Sequence, residues 1–118
     1  MRCDEIEQEI QDKGLVGPRV TLSDIEENIG SEHYFTAGEA LNKRFAEESS
    51  ELGPLGLLTF CVLVLKNGFT IVGTSACLSP ENYDAELGRR IARRNAVEQM
   101  WPLMGYALKK QLFEGQTK

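Results

Sequence analysis

The sequence predicts an α+β domain: an antiparallel β-hairpin, alone or extended into a small sheet by a third strand, packed on a long C-terminal helix and preceded by short N-terminal helices. Three observations carry that expectation. Two apolar, β-branched runs, LLTFCVLVLK and FTIVGTSACL, flank Asn67-Gly68, the strongest short hairpin signal. A helix start signal follows at Ser79-Pro80-Glu81 and opens a segment with helical periodicity. Upstream, acidic stretches with thin apolar stripes read as short helices. At 118 residues the chain has room for one core, so residues 1–118 are read as one domain. Within it, 1–30 form an acidic helical segment and 57–113 a hairpin-helix core.

In chain order, DEIEQEIQDK (4–13) predicts a helix. Its apolar stripe is only Ile6 and Ile10, and Gly14 suits the C′ position. Pro18 holds the next stretch extended. TLSDIEENIG predicts a second helix, with Thr21 or Ser23 as N-cap, Gly30 as stop, and Leu22, Ile25 and Ile29 on one face. Between 31 and 56 the pattern is weakest. A helix over 37–48 is one reading of this stretch and a mobile excursion the other, and His33 is placed on a loop. In the hairpin, a two-residue type I′ turn pairs Val64 with Ile71, Val62 with Gly73 and Phe60 with Ser75 on one face. Leu63 then meets Val72 and Cys61 meets Thr74 on the other. This register sets Cys61 and Cys77 on opposite faces. With Cys3 they make three widely spaced cysteines, read as reduced thiols and not as a disulfide framework or zinc site.

The C-terminal helix is expected to start with Ser79 as N-cap and Pro80 at N1. A narrow seam of Leu87, Gly88, Ile91, Ala92 and Ala96 allows a close approach by a sheet or a sister helix. Pro102 should kink or restart the helix, after which Leu103, Leu108 and Leu112 turn inward.

Charge is unevenly divided. Residues 1–56 carry thirteen acids and five bases; 57–118 carry eight bases and five acids. The acidic half argues against general nucleic-acid binding. No apolar run approaches the roughly 20 residues of a membrane span, and the polar N-terminus is not a secretory signal. The basic half concentrates Arg89, Arg90, Arg93 and Arg94, two i,i+4 pairs whose guanidinium forks suit phosphate oxygens. Arg90 and Arg94 also stand four residues from Glu86 and Glu98, so part of this charge is expected to be neutralised along the helix. The candidate ligand-binding residues are Ser79, Asn82, Tyr83, Asp84, Arg89, Arg93 and Trp101. The first turn, beside the end of the second strand, is the place where polar groups from two elements converge. A single histidine and scattered thiols give no metal site, and no nucleophile–base pair is evident. No cofactor is expected, and the chain is read as a non-enzyme.

The run from Lys66 to Leu112 carries a further pattern. Ser75-Ala76-Cys77 is followed by Pro80, Asn82, Tyr83, Asp84 and Glu86. Next come Gly88-Arg89, the paired Ala92 and Ala96, then Trp101-Pro102-Leu103 with Gly105-Tyr106. On these residues the chain resembles the forty-nine/sixty-six family of small tailed-bacteriophage proteins, and the opening EIEQEIQDKGLVGPRVTLSDIEENI is similar too. The resemblance implies an accessory protein made in the cytoplasm of an infected bacterium, with no catalytic residues to carry over. By analogy with small phage proteins that counter host defence, two functions are expected. One is sequestration of a small phosphorylated or nucleotide-like signal. The alternative is docking to a host protein through the acidic N-terminal helices. A homo-oligomer, dimer or dimer of dimers, is also expected, with the hairpin or the 87–100 helix at the contact.

Overall fold

The computed structural model describes residues 2–15, 17–41 and 53–116. In order these form α1 (Arg2–Asp12), α2 (Leu22–Glu27), β1 (Ile29–Thr36), α3 (Ala37–Ala40), a 3-10 turn (Pro54–Leu57), β2 (Leu58–Leu65), β3 (Thr70–Ala76), a second 3-10 turn (Pro80–Asn82) and α4 (Ala85–Gln116). The α+β class holds. A three-stranded antiparallel sheet in the order β1-β2-β3 packs on the long C-terminal helix, and short helices precede it. The chain forms two compact units: Met1–Asn28 with Met100–Lys118, and Ile29–Gln99.

In the first unit α1 ends as its sequence dictates. Gly14 takes a left-handed φ of 65°. The Gly14 amide donates to Gln11 O at 3.1 Å and the Leu15 amide to Ile10 O at 3.2 Å, so a left-handed residue closes the helix and satisfies its last carbonyls. Arg19 grips Glu7 through two hydrogen bonds, 2.9 and 3.2 Å, tying the extended stretch back to α1. The N-cap of α2 is Thr21. Its hydroxyl accepts from the Asp24 amide at 3.0 Å while Asp24 accepts from the Thr21 amide at 2.9 Å, a reciprocal capping box. The helix stops at Asn28, before the expected Gly30. Ile25 and Met100 are fully buried. Leu108 is half-buried, but Leu103 and Leu112 stay 39% and 36% exposed, so the expected inward turn of all three is corrected. The helix also does not restart at Pro102, which sits inside a single helical run. A proline removes one amide donor, and the rest of the ladder carries the helix past it.

The second unit holds the main departure from the sequence pattern. Ile29–Thr36 is a strand, paired antiparallel to β2, where a loop was expected for His33. Its alternation is polar on the core side, with Glu32, Tyr34 and Thr36 opposite Leu63, Cys61 and Thr59. A strand that fills its inner face with hydrogen-bonding groups gives no apolar period to read. It ends at a second capping box, where the Thr36 hydroxyl accepts from the Glu39 amide and Glu39 accepts from the Thr36 amide. The described helix there is only Ala37–Ala40. The rest of the expected 37–48 helix lies outside the described residues apart from Leu41, which is extended.

The hairpin exists, but its register is one residue away from the two-residue turn. Observed pairs are Val62 with Val72, Cys61 with Gly73 and Phe60 with Thr74. The Leu65 amide donates to Phe69 O at 2.8 Å and the Gly68 amide to Leu65 O at 2.9 Å. The loop is therefore Lys66-Asn67-Gly68. Only Gly68 takes a positive φ, 90°; Asn67 instead accepts from the Phe69 amide at 2.9 Å. This is the three-residue hairpin with a glycine bulge. One residue of slip exchanges every partner's face. It sets Ile71, Gly73 and Ser75 beside Leu63, Cys61 and Thr59, and by the same alternation moves Cys77 to the side of Cys61. Cys61 and Cys77 are free thiols.

That shared face is the core of the unit. Thr59, Cys61, Leu63, Leu65, Ile71, Gly73, Ala92 and Ala96 are buried. A Cβ on Gly73 would fall on the Ala92 carbonyl oxygen and the Ala96 amide nitrogen, and 2.8 Å from the Ala96 Cβ. The small-residue seam of α4 thus receives its own sheet. Fully burying side chains the size of Leu63 and Ile71 stabilises by roughly 1.5–3 kcal/mol each. The sheet's other face carries the stacked rings of Phe35 and Phe60, centroids 5.2 Å apart, with Val72 45% exposed.

Candidate functional site

The start of α4 differs from expectation in a way that shapes the site. Ser79 precedes the short 3-10 turn, and its side chain makes no capping bond. The cap of α4 is Asp84, whose carboxylate accepts from the Leu87 amide at 3.0 Å while its carbonyl accepts from Gly88 at 2.9 Å. The positive end of the helix therefore already faces a carboxylate.

Two clefts open between this helix start and the sheet, within the second unit. The larger, about 180 Å³, has apolar walls of Leu57, Ala76, Leu87 and Ile91 and polar groups from Thr59, Ser75, Cys77, Asn82, Tyr83 and Asp84. The smaller, about 120 Å³, is lined by Tyr34, Phe35, Thr36, Glu39, Thr59, Tyr83, Ala85 and Arg89. Thr59 and Tyr83 line both. Small-molecule sites start at roughly 300 Å³, so neither cleft alone holds a ligand of that size.

Thr59 is the most informative residue of the pair. It is 2% exposed, and its hydroxyl oxygen is buried with no hydrogen-bond partner. Buried polar atoms are nearly always bonded, and an orphan costs about 1–3 kcal/mol. Gly88 lies directly over it: a Cβ there would sit 3.1 Å from the Thr59 hydroxyl oxygen. The absence of that Cβ leaves space beside an unspent donor and acceptor.

The carboxylates around the clefts are committed. Asp84 caps α4 and Glu39 caps α3. Glu32 accepts from the Tyr34 hydroxyl at 2.6 Å and from Arg93 Nε at 3.2 and 3.3 Å. The Tyr34 bond, against the cost of burial and helped by Arg93, holds the Glu32 carboxyl below the usual range. Burial first, then Glu32, raises Tyr34, and burial raises the Cys61 thiol. These groups form a static clamp between β1 and α4.

Of the residues singled out by sequence, Asn82, Tyr83 and Asp84 line the larger cleft, and Tyr83 and Arg89 the smaller. Ser79 and Arg93 line neither; Arg93 is engaged by Glu32. Trp101 belongs to the other unit, where its indole nitrogen is buried without a partner. Sequence reasoning missed Thr59, Thr36 and Glu39. Thr59 shares a face with Cys61 and Leu63 by alternation along β2, but its burial under Gly88 of α4 is a tertiary contact that no local pattern announces.

Among the described residues there is no group of three His, Cys, Asp or Glu side chains able to hold a metal, and no helix is long and apolar enough to cross a membrane. Comparison with curated proteins and with solved structures gave no match. Residues 20–112 match a family of phage proteins described by N4 Gp49 and phage Sf6 gene 66. That span includes the whole sheet and both clefts, and the chain belongs to the N4 Gp49/phage Sf6 gene 66 family of phage proteins.

Proposed function

We propose that this phage accessory protein is a non-enzymatic binding module that sequesters a small phosphorylated or nucleotide-like molecule, acting against host defence in the cytoplasm of the infected bacterium. The observation that carries the reading is the orphaned Thr59 hydroxyl at the junction of the two clefts. The larger cleft offers apolar walls and the Asn82 side-chain amide, which suit a planar base bearing donors and acceptors. The smaller offers Arg89, which suits a phosphate. With the neighbouring carboxylates already engaged in caps and the clamp, the site is better built to hold than to transform. Titration calorimetry and thermal shift against ADP-ribose-type compounds and cyclic dinucleotides test this. Binding that is lost in Thr59→Val and weakened in Arg89→Gln is expected; silence across both ligand classes overturns it.

The acidic surface of α1 favours a second reading, docking to a basic host protein. Glu5, Glu9 and Asp12 are exposed there. Pull-down from host lysate with and without residues 1–30 separates the two readings, since only docking predicts loss of partners on truncation.

A further inference from the structure

The unbonded hydroxyl of Thr59 sits where the two clefts meet. It is buried with no hydrogen-bond partner among the described residues, and Thr59 and Tyr83 are the two side chains common to both clefts. A Cβ on Gly88 would lie 3.1 Å from the hydroxyl oxygen and 4.0 Å from Tyr83 Cε1. Glycine thus leaves a vacant spot, bordered by the hydroxyl and by the edge of the tyrosine ring. At about 180 and 120 Å³, the clefts reach the lower limit of small-molecule sites, roughly 300 Å³, only when taken together.

This inference rests on the nucleotide reading above, in which the base takes the larger cleft and a phosphate meets Arg89 in the smaller. In a nucleotide the sugar links base to phosphate, so the sugar falls at the junction. A sugar hydroxyl, like that of threonine, offers one donor and two acceptor lone pairs. The two hydroxyls can bond whichever way their protons point, and the bond ends the isolation of a buried polar atom.

We propose that the two clefts are the ends of one site for a single ribonucleotide unit, that Tyr83 is the partition that turns aside to join them, and that Thr59 recognises a ribose hydroxyl at the junction. Tyr83 is half-buried on the short link between the second 3-10 turn and α4. A change of rotamer therefore swings its ring without moving a helix or strand. Gly88 leaves the sugar its space. A deoxy sugar strands the Thr59 hydroxyl again, so the site selects ribonucleotides over deoxyribonucleotides.

Titration calorimetry of the full chain with AMP and with its 2′-deoxy and 3′-deoxy analogues, up to millimolar concentration, tests the site. AMP is expected to bind, and one of the two deoxy analogues to bind roughly ten- to a hundredfold more weakly. Thr59→Val should bind AMP no better than the parent binds that analogue, whereas Thr59→Ser, which keeps the hydroxyl, should hold the discrimination. Tyr83→Ala should speed AMP association roughly tenfold in stopped flow, because binding no longer awaits a rotamer change. Equal binding of AMP and both deoxy analogues to the parent overturns the role of Thr59 and leaves the nucleotide reading standing. An association rate unchanged in Tyr83→Ala overturns the partition. Binding of ADP-ribose-type compounds or cyclic dinucleotides without binding of AMP overturns the single-nucleotide site alone. Silence across all of them overturns this inference together with the reading beneath it.

Discussion

The two halves of α4 solve opposite packing problems with one continuous helix. From Ala85 to Gln99 the inward residues are small. Gly88 lies against Thr59 of β2, and Ala92 and Ala96 let β3 approach until backbone meets backbone at Gly73. From Met100 onward the inward residues are long and flexible, and large side chains also occupy the outer arc. The first half gains stability by closeness, so its tolerance to added volume is nil. The second half relies on adaptable methionine and leucine, and its exposed stripe contributes little to the fold of a single chain. Smallness in a helix is thus not a sign of weak packing; here it marks the tightest contact.

The largest way to break this contrast is Gly73→Ala. Its Cβ meets backbone atoms of α4, which cannot rotate away, so a loss of more than about 3 kcal/mol is expected, visible as a collapsed denaturant midpoint. An unchanged midpoint would show that the close seam does not exist. Thr59→Val acts at the same seam with the opposite sign. It removes an unbonded buried hydroxyl at nearly constant volume, and a gain of about 1 kcal/mol is expected. Glu32→Gln probes the polar clamp. The folded Glu32 carboxyl titrates below its ordinary range, so its stabilisation is complete above that range and is lost as pH falls through the depressed value. The parent should therefore lose stability more steeply than the variant between about pH 5 and 3. Near neutrality the difference should be at most about 1 kcal/mol, because the pair is partly exposed. The smallest effect is expected for Leu103→Ala on the outer arc: within about 0.5 kcal/mol in dilute solution by thermal melting.

Much of this was legible in the sequence wherever a local signal had a single reading. Asn67-Gly68 announced a hairpin, Gly14 a helix end, Thr21 one of two N-cap candidates, and Ala92 with Ala96 a close-packed seam. The register was not, because Lys66-Asn67-Gly68 satisfies both a two-residue turn with Asn67 and Gly68 left-handed and a three-residue turn with Gly68 alone. What separates them is whether Ile71 and Gly73 join Leu63 and Cys61 under α4, which is a tertiary matter. β1 was illegible for a related reason. Its inner face is Glu32, Tyr34 and Thr36, polar side chains that bond to one another, to the nearby Glu39 and to the distant Arg93 instead of forming an apolar period. The same masking applied to the site. Asn82, Tyr83, Asp84 and Arg89 were visible as a polar cluster at a helix start, whereas Thr59 gains meaning only once Gly88 is known to lie above it.

The outer rim of β3 ends in an unusual finish. The side-chain amide of Asn95 donates to Thr74 O at 2.8 Å, and that of Gln99 donates to Val72 O at 2.7 Å. Those two carbonyls belong to an edge strand and would otherwise be open to a strand from another molecule. Two helical amides one turn apart thus imitate the donors of a fourth strand. The consequence concerns crowding: during a burst of synthesis, nascent copies meet at high concentration, and this rim offers them two fewer acceptors on which to template one another.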